Sequence, residues 1–301
     1  MNFVIYKLRF LLGNAIGFLL FIFVGKNILL KKINSNNIVS IYFHNPSLKV
    51  FEKIIKWLKK NEFNIISITE FQKSFSQKRC VSKRTVFISF DDAWLGNINL
   101  LHILDKYSVP IMLFVPTQAL KDGDIWINIV RKNFKKIEKT EKLGLRIKDL
   151  KTIPNSKAVE LYEIALTKSK VKRMIMSKEK LIKLSKWVSI GSHSVTHPIL
   201  VNCTDDVIKY EMQKSYSILK SWQLNLHEVF AYPNGSYNTN VISIIKNSCY
   251  KYAFTTKPKI IELDTDNNSY TIPRICIPDH FGMYENLARM SGIWSRFFKN
   301  I

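Results

Sequence analysis

A chain of 301 residues with 47% hydrophobic side chains can bury one large core or two smaller ones. Its formal charge of +23 favours anionic surroundings such as acidic lipid, phosphate, nucleic acid or acidic glycan, and residues 131–186 alone hold 18 Lys or Arg against 6 Asp or Glu, a net +12. The 4 widely separated cysteines without a C-x-x-C pair support neither a disulfide framework nor a thiolate zinc site, and 10 glycines without a phosphate-binding fingerprint argue against a dinucleotide site.

The positive charge fits solvated Lys-rich helix faces as well as an anion-binding surface. Nucleic acid is not an expected partner, because the basic stretch lacks interleaved aromatics for base stacking and carries no reading motif.

The chain opens on an apolar segment. Residues 10–25 (FLLGNAIGFLLFIFVG) are uncharged, with Lys7 and Arg9 before them and Lys26, Lys31 and Lys32 after. This is shorter than the roughly 20 residues that cross a bilayer, and residues 27–30 supply the rest if Lys26 snorkels. No A-x-A cleavage site follows, so removal as a signal peptide is not expected. Residues 1–32 are therefore expected to associate with a membrane, either lying in the interface beside anionic lipid or acting as a single anchor. The basic excess after the segment favours a cytoplasmic domain, with the opposite orientation of a single-pass anchor left open.

From residue 38 short β-branched runs alternate with helical periodicity. Ile38–Phe43 reads as a strand, and Phe51, Ile54, Ile55 and Leu58 recur at helical spacing. Asn64–Ile68 and Thr85–Phe90 read as strands, Asn97–Tyr107 as a helix, and Val109–Val115 as a buried strand ending at Pro116. A Lys-rich, mostly helical stretch from about 121 to 186 reads as an insertion. Strands resume at Trp187–Ser192, Val229–Tyr232, Tyr252–Thr255 and Ile272–Ile277. Helices intervene from Thr204, a plausible N-cap, to Trp222 and over Thr239–Ser248. Such alternation predicts a parallel sheet with helices outside, as a barrel or an open doubly wound sheet.

The residues that carry chemistry sit at strand ends, where α/β folds collect catalytic groups. Asp91 and Asp92 follow TVFISF directly; read alone they fit a metal ligand with an adjacent base, and equally a pair of solvated carboxylates before the next helix. His193 and His197 bring two imidazoles together at four-residue spacing, with Pro198 favouring a compact turn over a long helix. Phe230–Gly235 (FAYPNG) forms a rigid turn at another strand end, able to present backbone N–H groups into a cleft.

Together these pieces resemble the polysaccharide deacetylase family, the NodB-homology carbohydrate esterases. Phe90-Asp91-Asp92 is similar to that family's T/S-F-D-D motif, residues 193–197 (HSVTH) to H-S/T-x-x-H, and Phe230–Gly235 to the form F-A-Y-P-x-G. Tyr42-Phe43-His44 resembles the opening Y-H strand, and Pro110–Thr117 (PIMLFVPT) a P-x-x-x-F-x-x-T strand.

The resemblance covers about residues 38–290. It implies a distorted (β/α) barrel, here carrying the N-terminal hydrophobic helix and the helical insertion, that removes acetyl groups, most often N-acetyl, from sugars of a cell-surface polysaccharide or its lipid-linked precursor.

By the same resemblance Asp92, His193 and His197 bind one divalent metal ion, zinc first among the transition metals that fit, and Asp91 is the general base. The backbone N–H of Asn234 is expected to hold the oxyanion. Two departures are visible. Ala231 stands where the family often has a base-orienting Arg, and Arg274 is the nearest substitute, although an Arg at a solvent-exposed strand edge fits the sequence equally. The family's general-acid histidine has no clear match; His280 is the nearest candidate and His44 an outsider. The expected partners are an acetylated glycan or lipid-linked oligosaccharide and an anionic membrane surface. The alternative is a membrane-associated glycan-binding protein that keeps the fold with impaired catalysis.

Overall fold

The computed structural model describes residues 3–298 apart from 34, 35, 81, 143, 169, 279 and 280. Among the described residues the strands are β1 (Asn37–Phe43), β2 (Asn64–Ile66), β3 (Thr85–Phe90), β4 (Met112–Val115), β5 (Ser189–Ser192), β6 (Leu226–Ala231), β7 (Tyr252–Phe254), β8 (Ile261–Glu262) and β9 (Ile275–Cys276). The chain divides into two compact units.

The first unit comprises Met1–Phe90, Gly96–Met112 and Thr256–Ile301. β1 pairs parallel with β3, Ile38 opposite Thr85 through Phe43 opposite Phe90, and β2 adds to β3 in the same direction. On its other side β1 takes β8 antiparallel and β9 parallel. Every residue of β1 and β3 is buried, as continuous β-branched and aromatic runs of a covered parallel sheet require. The helix Leu48–Lys60 buries Phe51, Ile54, Ile55 and Leu58, the four positions that the periodicity selects. Its first turn is closed by Ser47, whose hydroxyl accepts from the Val50 N–H. Phe51 packs edge-on against both Phe43 and Phe90, locking the helix to the ends of β1 and β3.

The second unit comprises Asp91–Leu95 and Leu113–Thr255. Its strands lie in the order β4, β5, β6, β7. β5–β6 and β6–β7 are parallel, with a register shift in β5 between Ile190 and Ser192, just before the first histidine. The Lys-rich stretch forms the helices Trp126–Glu141, Asn155–Lys168 and Lys178–Leu184, with a short 3-10 turn at Ile147–Lys151 between the first two. Apolar residues such as Ile129, Val130, Ile137 and Leu161 face inward.

Several expected boundaries shift. Asn64–Ile68 is a strand only to Ile66, because Ser67 and Glu70 form a reciprocal capping box that starts a helix at Ile68. Val109–Val115 contracts to Met112–Val115 and Ile272–Ile277 to Ile275–Cys276. Trp187 and Val188 stay outside β5. The N-terminal segment is helical throughout its described length, as Phe3–Leu20, a π-helical turn at Phe21–Gly25, and Lys26–Ile33.

Candidate metal centre

Three ligand-type side chains converge in the second unit. Asp92 Oδ1 lies 3.3 Å from His197 Nε2 and 3.5 Å from His193 Nε2, and the two imidazole nitrogens are 3.2 Å apart. All three residues are buried, and they form the described cluster of His, Cys, Asp or Glu able to hold a metal. A tetrahedral ion with N and O ligands at about 2.0–2.2 Å separates its ligand atoms by roughly 3.3–3.6 Å. The observed edges match that size.

The protonation pattern points the same way. The His193 Nδ1–H donates to the Ala231 carbonyl at 2.7 Å, which leaves Nε2 as a lone pair facing a carboxylate oxygen. Burial, helped by the neighbouring His197, pushes the His193 imidazole down to about 4, so it is neutral at physiological pH. A lone pair and a carboxylate held together out of water repel each other unless a cation lies between them. The donor set therefore fits a divalent metal.

The backbone is bent to make this arrangement. Asp92 and Ala93 both have positive φ, 70° and 55°, as do Ser194 at 68° and His197 at 59°. For non-glycine residues each such turn costs about 1–2 kcal/mol, and such turns concentrate at functional sites. Side chains and neighbouring backbone hold the strained segments in place. The Trp94 Nε1–H donates to Asp92 Oδ2 at 3.1 Å, fixing the carboxylate so that Oδ1 faces the imidazoles. The His193 N–H donates to the Val115 carbonyl at the end of β4, and the Thr117 N–H donates to the Ser194 carbonyl. Ser192 and Ser194 hydroxyls accept from the Ser194 and His197 N–H groups, and the Trp126 indole N–H donates to the His197 carbonyl at 2.9 Å.

The description "Polysaccharide deacetylase" belongs to the family model that matches residues 78–253, more than half of the chain. The chain belongs to the polysaccharide deacetylase family. It is 27% identical over 255 residues to a poly-beta-1,6-N-acetyl-D-glucosamine N-deacetylase of Staphylococcus aureus, covering 79% of this chain and 73% of that protein. The corresponding Staphylococcus epidermidis protein is 27% identical over 228 residues, with 75% and 66% covered.

Among solved structures, the Streptococcus pyogenes deacetylase PplD in complex with acetate superposes with a TM-score of 0.62 at 19% identity, over 85% of this chain and 98% of that one. IcaB from Ammonifex degensii gives 0.59 at 14% identity, over 86% and 98%. The α/β fold of parallel strands and outer helices is thus the (β/α)-barrel type of these deacetylases, as expected. The protein is a polysaccharide deacetylase, a hydrolase acting on acetylated glycan.

The other expected site residues of this deacetylase lie as follows. Asp91 is buried next to Asp92, which excludes the reading of a solvated pair. Asn234 occupies the 3-10 turn Pro233–Gly235 with φ of 58°, its side chain donating to Ser236 Oγ. That turn begins just after Ala231, whose carbonyl holds His193. Arg274 is fully buried, which corrects the alternative of a solvent-exposed strand edge. Its guanidinium donates to Ser89 Oγ at 3.0 Å and lies 4.5 Å above the Tyr42 ring. Ser89 is two residues before Asp91 in the chain. His280 lies outside the described residues, and the exposed His44 stacks edge-on against Tyr42.

Sequence reasoning missed Glu211. This buried carboxylate accepts from the Val195 N–H at 2.7 Å, the Thr196 N–H at 3.0 Å and the Thr196 hydroxyl at 2.7 Å, so it clamps the loop between the two histidines. Burial raises its pKa while those donors oppose the rise. A signal was present: Ile208, Glu211, Met212, Ser215 and Leu219 form one buried helical stripe, and an acid on such a stripe needs partners.

Proposed function

We propose that this deacetylase hydrolyses N-acetyl groups of a hexosamine polymer, or its lipid-linked precursor, at a membrane surface, and that it does so with one divalent metal ion. The convergence of Asp92, His193 and His197 on one small volume supports this reading, with the family motifs around it. The staphylococcal relatives point to β-1,6-linked N-acetylglucosamine as the first substrate to test. The catalytic domain spans about residues 38–290, and the basic helices of 121–186 shape its cleft.

Asp92, His193 and His197 hold the ion, with zinc the first candidate. When bound there, a divalent ion supplies Lewis acidity, lowering the pKa of water and polarising the acetyl carbonyl. Asp91, buried and adjacent in sequence to Asp92, accepts the proton of the attacking water. The Asn234 N–H in the Tyr232–Gly235 turn donates to the oxyanion as the carbonyl becomes tetrahedral. Arg274 replaces the family's base-orienting arginine, acting through its place beside Ser89 and the end of β3. His280 returns a proton to the departing amine, so that amide and water give acetate and a free amino sugar.

The test is acetate release from β-1,6- and β-1,4-linked N-acetylglucosamine oligomers by the purified enzyme and by Asp91→Ala. Release from the β-1,6 series alone, lost in the variant, supports the proposal. Release from neither series with metal bound contradicts it.

A further inference from the structure

The N-terminal segment has two faces of opposite kind. Gly13, Gly17, Phe21, Gly25 and Leu29 are buried, and Arg9 continues this every-fourth-residue stripe towards the N-terminus. The stripe lies along the C-terminal part of the first unit. Arg9 makes a two-pronged ion pair with the fully buried Glu285, both contacts at 2.9 Å, and Arg289 joins the same carboxylate. The Tyr284 N–H donates to Asn14 Oδ1 at 3.0 Å. A Cβ at Gly17 would collide with the Glu285 backbone, so only glycine allows the helix Met283–Met290 to come this close. Phe18 packs edge-on against Tyr284 and Phe21 against Trp57 of the helix Leu48–Lys60.

An α-helical stripe at four-residue spacing drifts around the axis by about 40° per step. The wider π turn at Phe21–Gly25 rotates it back, so Leu29 still faces the protein.

The opposite face is apolar along its whole length. Leu8, Leu11, Leu12 and Leu19 are each more than half exposed, Ile16, Ile22 and Val24 are exposed, and Phe23 is 72% exposed. The exposed Lys26 and Lys31 follow this face, and Lys7 precedes it in sequence. The stretch Leu8–Leu29 has 22 residues and a mean hydropathy of 2.0, about 33 Å of helix and long enough to cross a bilayer. Crossing would drag the packed face with it, placing Glu285, Arg289 and the rest of the helix Met283–Met290 in hydrocarbon. The polar partners of Arg9 and Asn14 belong to a folded domain, not to a membrane bundle.

We infer that the N-terminal helix does not cross the membrane but lies in the plane of one anionic leaflet, as a fixed part of the first unit, with its apolar face in the acyl region. The cations at its ends meet anionic headgroups. The enzyme thus docks flat on one side of the bilayer. This rests on the membrane association proposed above and is independent of which bond the enzyme hydrolyses.

The experiment uses the full chain with an N-terminal epitope tag, mixed with sealed vesicles of phosphatidylglycerol and phosphatidylcholine and separated by flotation. Wild type is expected to float, and a protease added outside removes the tag as readily as it attacks the catalytic domain. Leu12→Glu/Leu19→Glu/Phe23→Glu, all on the outward face, is expected to lose at least 10-fold in floated protein, with an unchanged circular dichroism melt. Vesicles of phosphatidylcholine alone should bind several-fold less. A tag protected inside vesicles while the domain is digested overturns the in-plane reading and leaves membrane association standing. Absence of flotation, flotation undiminished in the triple variant, equal binding to neutral vesicles, or a stable dimer that ignores vesicles overturns it outright.

Discussion

Glu211 gives the sharpest structural prediction. In Glu211→Ala the Val195 and Thr196 N–H groups and the Thr196 hydroxyl lose their acceptor. Val195 is buried, so its N–H has no water to turn to, while Thr196 is exposed enough to be hydrated. An unsatisfied buried donor costs about 1–3 kcal/mol, and truncating a buried carboxylate leaves a cavity besides. The strained Ser194 and His197 conformations lose their support at the same time. Together these give about 3–5 kcal/mol for Glu211→Ala, the range of broken buried networks. Glu211→Gln keeps shape and one acceptor oxygen and should cost about 1–2 kcal/mol.

Because the clamped loop carries both imidazoles, metal affinity should fall by about 10–100-fold in the alanine variant, as for other groups that orient ligands. Urea denaturation of the metal-free protein gives the first number and competition with a chromophoric chelator the second. A Glu211→Ala protein within about 1 kcal/mol of wild type and unchanged in metal affinity would falsify the clamp.

Other consequences are more local. In metal-free protein His193 stays neutral down to about 4 whereas its unfolded counterpart protonates near 6.5, so stability is full above pH 6.5 and falls as the pH drops towards 4. The loss amounts to about 3 kcal/mol at most, and denaturation across pH with a chelator present should show it in wild type but not in His193→Gln. Asn234→Gly should keep both the turn and its N–H and retain activity, whereas Asn234→Ala should lose about 1 kcal/mol from the positive φ; equal melting temperatures would show that the turn is not strained. Arg274→Met should lower kcat by about 10-fold or more with little change in KM and shift the acid limb of the pH–rate profile, if Arg274 orients Asp91; a change in KM alone would assign it to substrate binding. Trp126→Phe removes the donor to the His197 carbonyl and should cost about 1 kcal/mol, read by thermal unfolding.

Much of this was legible in the residues. The buried strands β1 and β3 announced themselves as unbroken β-branched and aromatic runs, and the Asp91-Asp92 and His193–His197 motifs stand where such runs end. The brief strand β8 gave no such signal, because two residues carry no periodicity, and β9 was legible only within the longer run Ile272–Ile277. The helix at Ile68–Ser76 was readable from Ser67 and Glu70, but the apolar Ile65, Ile66 and Ile68 outweighed the cap. Glu211 needed its helix to be seen as a stripe with an acid inside it. Arg274 could not be placed at all by pattern, since burial of a guanidinium depends on Tyr42 and Ser89, distant in sequence. The N-terminal segment shows the limit of hydropathy most clearly. A scale that averages over the helix finds a span, while Gly13, Gly17 and Gly25 on one side mark a packed face.

One metal ion held by Asp92, His193 and His197 is proposed to carry the deacetylase chemistry of this chain. Elemental analysis of the purified enzyme beside acetate release from N-acetylglucosamine oligomers tests it directly, with Asp92→Ala and His193→Ala as partners. Wild type is expected to bind about one divalent ion per chain, to lose activity to a chelator and regain it with added metal, and each variant is expected to lose both metal and activity. Full acetate release by metal-free wild type, or by either variant, would contradict it.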